Sequence, residues 1–92
     1  MFEVNNYFAG DVVSIAYQGE LPSTVGVMAV GSYTFNTSQH ENMLIIDGDV
    51  EVKIAQQDEF EQFTSGGQFS IQANSHFEIK VLRPTAYLCT YG

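Results

Sequence analysis

The side chains of this sequence that can do chemistry are few and of scattered types. Glu41 is a carboxylate in a polar break from Ser38 to Asn42, between two apolar runs. A carboxylate there can face a positive charge developing on a ligand, or stand solvated beside His40 and Asn42. Only Lys53, Lys80 and Arg83 are basic. Arg83 is the candidate for an anion, phosphate above all, because its planar fork suits that geometry and it precedes Pro84 near a strand end, although a surface position is its alternative. Lys53 and Lys80 alternate with apolar residues and read as outward. Thr37, Ser75 and Thr85 offer hydroxyls to anion or sugar oxygens, or to their own turns. Tyr33 and Phe35 can stack on a flat ligand or fill a core, and Phe77, on an inward-reading face, and Tyr87, in the last strand, join them as candidate substrate contacts. His40, in a loop, and His76, on an outward-reading face, are acid–base candidates by residue type, whereas Cys89 has no base beside it and reads as a small packed hydrophobe.

The elements that must position these residues are strands. Tyr33, Phe35 and Thr37 alternate with Ser32, Thr34 and Asn36, the period of two of a strand with one face on an apolar interior. Met43 to Ile46 is a second apolar run, and Asp47-Gly48 after it predicts a tight hairpin turn. Asn5 to Gly10 is a short aromatic lead, Val12 to Tyr17 a strand, Gln18 to Thr24 a turn, and Val25 to Val30 a further strand. Gly26 inside that strand marks a bend or the close approach of another group. Val50, Val52 and Ile54 alternate with Asp49, Glu51 and Lys53. Gln56 to Glu61 is a polar loop, and Phe77, Ile79 and Val81 face inward opposite His76, Glu78 and Lys80. Pro84 predicts the break before a last strand, Thr85 to Tyr91, neither face of which carries a charge. Such a strand needs cover on both sides, and a two-fold homodimer is expected to supply it.

Size and charge bound the possibilities. The 92 residues predict one domain, 1–92, and Phe, Tyr, Val and Ile without a helical stripe predict an all-β fold. Short strands with glycine turns fit a single jelly-roll barrel, which hides strand edges. A net charge of −8, from eleven acidic and three basic residues, argues against nucleic acid and anionic membranes as partners. No stretch is long and apolar enough for a bilayer span. One cysteine allows no internal disulfide, so a cytoplasmic protein is expected.

Gly31, Glu41 and Gly48 stand in the register of the first cupin signature, in which a pair of histidines and a glutamate lie between glycines. Thr37 and Gln39 occupy the histidine places. Gly66 resembles the glycine of the second signature, with Gln72 where proline is usual and Phe77 where its histidine would be. One remaining carboxylate does not hold a transition metal, so no metal is expected. Closer still, Asn5-x-Tyr7-Phe8-x-Gly10, Val12-x-Ser14-Ile15, Val25-Gly26-Val27-Met28, Gly31-x-Tyr33-Thr34-Phe35-x-Thr37 and Pro84-Thr85-x-Tyr87-Leu88-Cys89-x-Tyr91 resemble the bacterial pyrimidine/purine nucleoside phosphorylase family, small metal-free cupins.

The resemblance implies a cupin-like barrel and a pentosyltransferase of broad specificity. Such an enzyme splits purine and pyrimidine nucleosides with phosphate, as co-substrate and without a cofactor, into free base and pentose 1-phosphate. Cupin register points Glu41 at the pocket where a metal would otherwise sit, a place from which it can stabilise the sugar cation. The residues by themselves leave open a non-catalytic, metal-free cupin that binds a small metabolite or sugar.

Overall fold

The computed structural model describes residues 2–92. Eight strands follow one another: β1 (Glu3–Tyr7), β2 (Val12–Gln18), β3 (Pro22–Met28), β4 (Gly31–Asn36), β5 (Glu41–Ile54), β6 (Glu61–Thr64), β7 (Gln68–Ile71) and β8 (His76–Tyr91). Among the described residues the only helical element is a 3-10 turn, Phe8–Gly10. The all-β expectation holds.

Two long antiparallel strands organise the rest. β5 has 14 residues and β8 has 16, and they pair along nearly their whole lengths. The C-terminal half of β8 carries β3, then β2, then β1, while its N-terminal half carries β4. β5 carries β7 and β6 on its other edge. All eight strands form one hydrogen-bonded network, in the order β1-β2-β3-β8-β5-β6 with β4 on β8 and β7 on β5. It folds over on itself at the bends of β5 and β8 without closing into a continuous hydrogen-bonded barrel. Strands that bend from one layer to the next make the corners of such folds.

Those bends correct two expectations. Asp47-Gly48 is no hairpin turn, because β5 runs straight through it and the β5–β8 register slips between Ile45 and Val50. A Cβ on Gly48 would lie 2.3 Å from Thr85 Oγ1, so the glycine serves close packing at a β-bulge. Pro84 likewise lies inside β8. It stands opposite the gap between β3, which ends at Met28, and β4, which begins at Gly31, where no neighbouring strand asks for its missing N–H. Two further differences concern the start of the chain: Glu3–Tyr7 is a strand, and β3 begins at Pro22 within the expected turn.

The alternation of apolar residues sets the interior. Val50 and Val52 of β5 and Phe77, Ile79 and Val81 of β8 are buried, and they join Val12, Met28, Tyr33 and Ile71 in one core. Phe35 stacks on its cross-strand partner Phe77 at 5.4 Å, and Phe77 meets Phe69 of β7 edge-on at 6.0 Å, a contact that ties the two layers together. The turn after β1 is strained: Phe8 (φ 52°) and Ala9 (φ 57°) are left-handed, followed by Gly10 (φ 92°). Each such non-glycine residue costs roughly 1–3 kcal/mol and persists only where its surroundings hold it. Here the Phe8 ring is held against Tyr33 at 5.0 Å and Phe35 at 5.5 Å.

Candidate active site

A cavity of about 250 Å³ opens on the inner face of β1, β2, β3, β8 and β5, and β4 closes one side. Strand register decides what reaches it. Thr24, Cys89 and Met43 are cross-strand partners in one row, Ser14, Gly26 and Tyr87 in the next, and Glu41 pairs with Tyr91 at the cavity's end. Every second residue of each strand points the same way, so these rows lie on one wall. Gly26 has a specific task there, since a Cβ on it would meet the Tyr87 hydroxyl at 2.9 Å. Its missing side chain gives the phenol its place.

The wall is polar but carries no cation. Cys89 donates its thiol hydrogen to Glu41 Oε1 at 3.4 Å, and Thr24 Oγ1 and the Tyr91 hydroxyl share a hydrogen bond of 3.1 Å. Ser14 and the Tyr87 phenol lie in one cross-strand row, on either side of Gly26. Burial raises the Glu41 carboxyl above the ordinary glutamate range, against smaller opposing effects of the Cys89 thiol and of His40. Burial also pushes Cys89 up to about 12, reinforced by the neighbouring Glu41, and Tyr87 up to about 12. Tyr91 is raised by burial as well. Cys89 is therefore a thiol and hydrogen-bond donor at neutral pH, not a nucleophile.

Of the residues singled out from the sequence, Glu41, Phe35, Phe77 and Tyr87 line the cavity. Tyr33, Thr37, Ser75, Thr85 and Arg83 stand outside it. Tyr33 is buried in the core and donates its hydroxyl to the Ala29 carbonyl at 2.7 Å. Thr37 Oγ1 donates to the Gln72 carbonyl at 2.7 Å and accepts from the Ser75 backbone N–H at 2.9 Å, which places both Thr37 and Ser75 in the pinning of the β7–β8 turn. Thr85 packs against Gly48 at the bulge and donates to the Arg83 carbonyl at 2.8 Å.

Arg83 lies on the surface, paired with Asp47 at 3.0 Å, both side chains more than half exposed. Lys53 faces Glu78 at 4.0 Å and Lys80 lies over the Phe60 ring. None of the three cations reaches the cavity. Arg83→Ala is therefore expected to cost no more than about 1 kcal/mol in urea unfolding, as exposed ion pairs do, and a larger loss would show that the pair supports the fold.

The sequence reading missed Tyr7, Ser14, Thr24, Asn36 and Tyr91, all of which line the cavity. A signal existed for some of them: Ser14 and Thr24 are hydroxyls on faces that alternation turns inward, where apolar side chains are the rule. Nothing local distinguished Tyr7 from a core aromatic.

The cupin metal position was tested against the donors present. Thr37 is engaged with backbone partners, Gln39 is exposed and Phe77 has no donor. Among the described residues no group of three His, Cys, Asp or Glu side chains converges. Glu41 and Cys89 alone, the latter held as a neutral thiol, do not make a transition-metal site. The residues do not fit a resident metal.

The bent eight-stranded sheet around an inward-facing pocket defines a small cupin-like fold. A cupin from Shewanella frigidimarina superposes with a TM-score of 0.76 over 99% of this chain and 83% of that one, at 13% identity, a likeness of fold alone. A structure of a protein of unknown function from Vibrio parahaemolyticus is far closer, with a TM-score of 0.95, 39% identity and coverage of 100% and 99%. Residues 2–91 match the sequence model of the family described as pyrimidine/purine nucleoside phosphorylase. The protein of that name from Magnetococcus marinus is 52% identical over the full length of both chains. This chain belongs to the pyrimidine/purine nucleoside phosphorylase family.

Proposed function

We propose that this protein is a metal-free nucleoside phosphorylase of broad base specificity, transferring the pentose of a purine or pyrimidine nucleoside to inorganic phosphate. One observation carries this reading beyond family membership: a half-buried carboxylate, Glu41, shares a pocket with five hydroxyls, those of Tyr7, Ser14, Thr24, Tyr87 and Tyr91, and among the described residues with no cation. As the bond from C1′ to the base nitrogen breaks, positive charge develops on the sugar ring. Glu41 in its ionised form stabilises that charge, and a dry pocket strengthens the effect. The hydroxyls hold sugar and phosphate oxygens. In the balanced reaction the C1′–N bond breaks, a phosphate oxygen bonds to C1′, and the proton of hydrogen phosphate ends on the departing base.

The test is the release of free base from adenosine and from uridine by purified protein, with and without phosphate. Phosphate-dependent release, with equal formation of ribose 1-phosphate, is expected. Equal release without phosphate makes the protein a hydrolase, and no release from either nucleoside removes the enzymatic reading. The lack of a cation in the described lining favours a second reading, a non-catalytic module for a neutral sugar or nucleoside, because phosphate finds hydroxyls and a carboxylate there and no fixed positive charge.

The donor set also underlies the proposal that no cofactor takes part. Elemental analysis of the purified protein is expected to find well under one iron, zinc or manganese per chain. Stoichiometric metal, lost on chelation together with activity, would overturn it.

We place the protein in the cytoplasm and read it as a two-fold dimer. The inner face of Thr85 to Tyr91 is buried within its own chain, so only the outer face remains to be covered. There Val4, Ile15, Val25, Leu88 and Leu44 form one cross-strand row, and Val13, Val27 and Ala86 form the next. Val4 is 59% and Val27 56% exposed, in a patch of the kind that monomers rarely leave open. Light scattering at micromolar concentration should give twice the chain mass, and Val27→Lys should return it to the mass of one chain. A parent protein that scatters as a monomer would refute the dimer.

A further inference from the structure

We infer that Tyr7 is the base-recognition element of this pocket, a stacking platform set at the cavity's mouth by the strained turn that follows it; the inference rests on the phosphorylase reading. Phe35, the ring that the sequence offers first for this task, is committed elsewhere. It is stacked on Phe77 at 5.4 Å with 26° between the planes, and is met edge-on by Phe8 at 5.5 Å. Phe77 is almost wholly buried, and Tyr33 lies outside the cavity. Tyr7 differs from all of these. It lines the cavity, is 46% exposed, and meets Phe35 in a T-shaped contact at 6.5 Å and 84°, with no ring stacked parallel to it among the described residues. That exposure leaves ring surface free for a flat ligand.

The turn explains how an edge strand holds such a ring in place. β1 pairs only with β2, and Tyr7 is its last residue, opposite Val12. An edge strand by itself would leave Tyr7 loosely placed relative to β4 across the mouth. The left-handed conformation of Phe8 and Ala9 turns the chain at once, so that the Phe8 ring wedges against Tyr33 and Phe35 of β4. The wedge couples the β1–β2 hairpin to the opposite layer and fixes Tyr7 beside Phe35. Backbone strain held by tertiary contacts at the rim of a pocket is the usual mark of a positioned functional group.

The division of the pocket follows from chemistry. Glu41, Tyr87 and Tyr91 are less exposed than Tyr7 and match sugar and phosphate oxygens, while the more exposed aromatic ring matches the base. A ring that reads only a π-face accepts purines and pyrimidines alike, which gives broad specificity a physical origin.

The experiment compares the parent with Tyr7→Ala and Tyr7→Phe. In Tyr7→Ala the KM for adenosine and for uridine should rise roughly 5- to 100-fold, the range that the loss of one stacked base implies, with the KM for phosphate within twofold. Tyr7→Phe should stay close to the parent. Unchanged nucleoside KM values, or nucleoside and phosphate KM values that rise together, overturn the assignment. Equilibrium dialysis with adenine and uracil needs no turnover and keeps this assignment separable from the enzymatic reading. Binding by the parent and by Tyr7→Phe that is lost in Tyr7→Ala upholds the platform even in a protein without phosphorolysis. Absence of binding to the parent, or binding untouched in Tyr7→Ala, rejects it.

Discussion

Glu41→Gln is expected to lower turnover on the order of 100-fold while leaving the nucleoside KM within a few-fold, because a charge facing the developing sugar cation acts mainly in the transition state. Glutamine keeps the size of the side chain and its capacity to accept the Cys89 thiol hydrogen, so the loss isolates the negative charge. A pH profile adds a second readout. On the proposed mechanism the carboxylate acts in its ionised form, and burial raises its pKa. Turnover should therefore fall, on acidification, at a pH above the range of an exposed glutamate, and the glutamine variant should lack that limb. Stability should move the other way. A carboxyl whose folded pKa is raised contributes stability that is fully present below the unfolded value, about 4.3, and lost as pH rises through the folded value. Glu41→Gln, neutral throughout, should thus be more stable than the parent at neutral pH and equal to it below about pH 4. Unchanged turnover in the glutamine variant would return Glu41 to the status of a packed, partly solvated carboxylate.

Gly26→Ala should be the most damaging single methyl added to the pocket wall. The new Cβ would lie 2.5 Å from the Val13 carbonyl oxygen, 2.8 Å from Ser14 Cβ and 2.9 Å from the Tyr87 hydroxyl. Two of the three contacts belong to the adjacent strand β2 and cannot swing away. Overpacking of this kind costs typically 1–3 kcal/mol, and in a domain of this size each kcal/mol lowers Tm by about 4–8 °C. Activity should fall further than stability explains, because the new methyl displaces the Tyr87 hydroxyl from its place in the pocket wall. Removing the phenolic oxygen in a Gly26→Ala/Tyr87→Phe double variant should recover only the Tyr87 share of the loss. Urea unfolding of the three proteins decides the matter, and a Gly26→Ala protein as stable as the parent would show that β2 and β3 can separate at this point.

Much of the fold was legible because β structure writes its facing into the chain. Val50, Val52 and Ile54, and Phe77, Ile79 and Val81, alternate with charged residues, and the buried faces are the ones that alternation picks out. The family, too, is carried by residues spread over nearly the whole sequence. Period two tells which way a side chain points, but not which other strand it will meet.

Pairing and register are where the reading went astray. Asp47-Gly48 has the composition of a turn and Pro84 that of a strand end, yet both lie inside the longest strands, where a bulge and a gap between β3 and β4 accommodate them. Arg83 had the right chemistry for phosphate and lies on the wrong side of that bulge. Tyr7, Ser14, Thr24 and Tyr91 come from four different stretches and meet Glu41 only because β1, β2, β3, β8 and β5 lie side by side in one register. The sequence by itself therefore determined the strand character, the inward faces, the family and the one carboxylate worth watching. The tertiary structure alone decided which inward residues share a wall, since that depends on hydrogen-bonded pairings between residues as far apart as Thr24 and Tyr91, and no local pattern carries such distances.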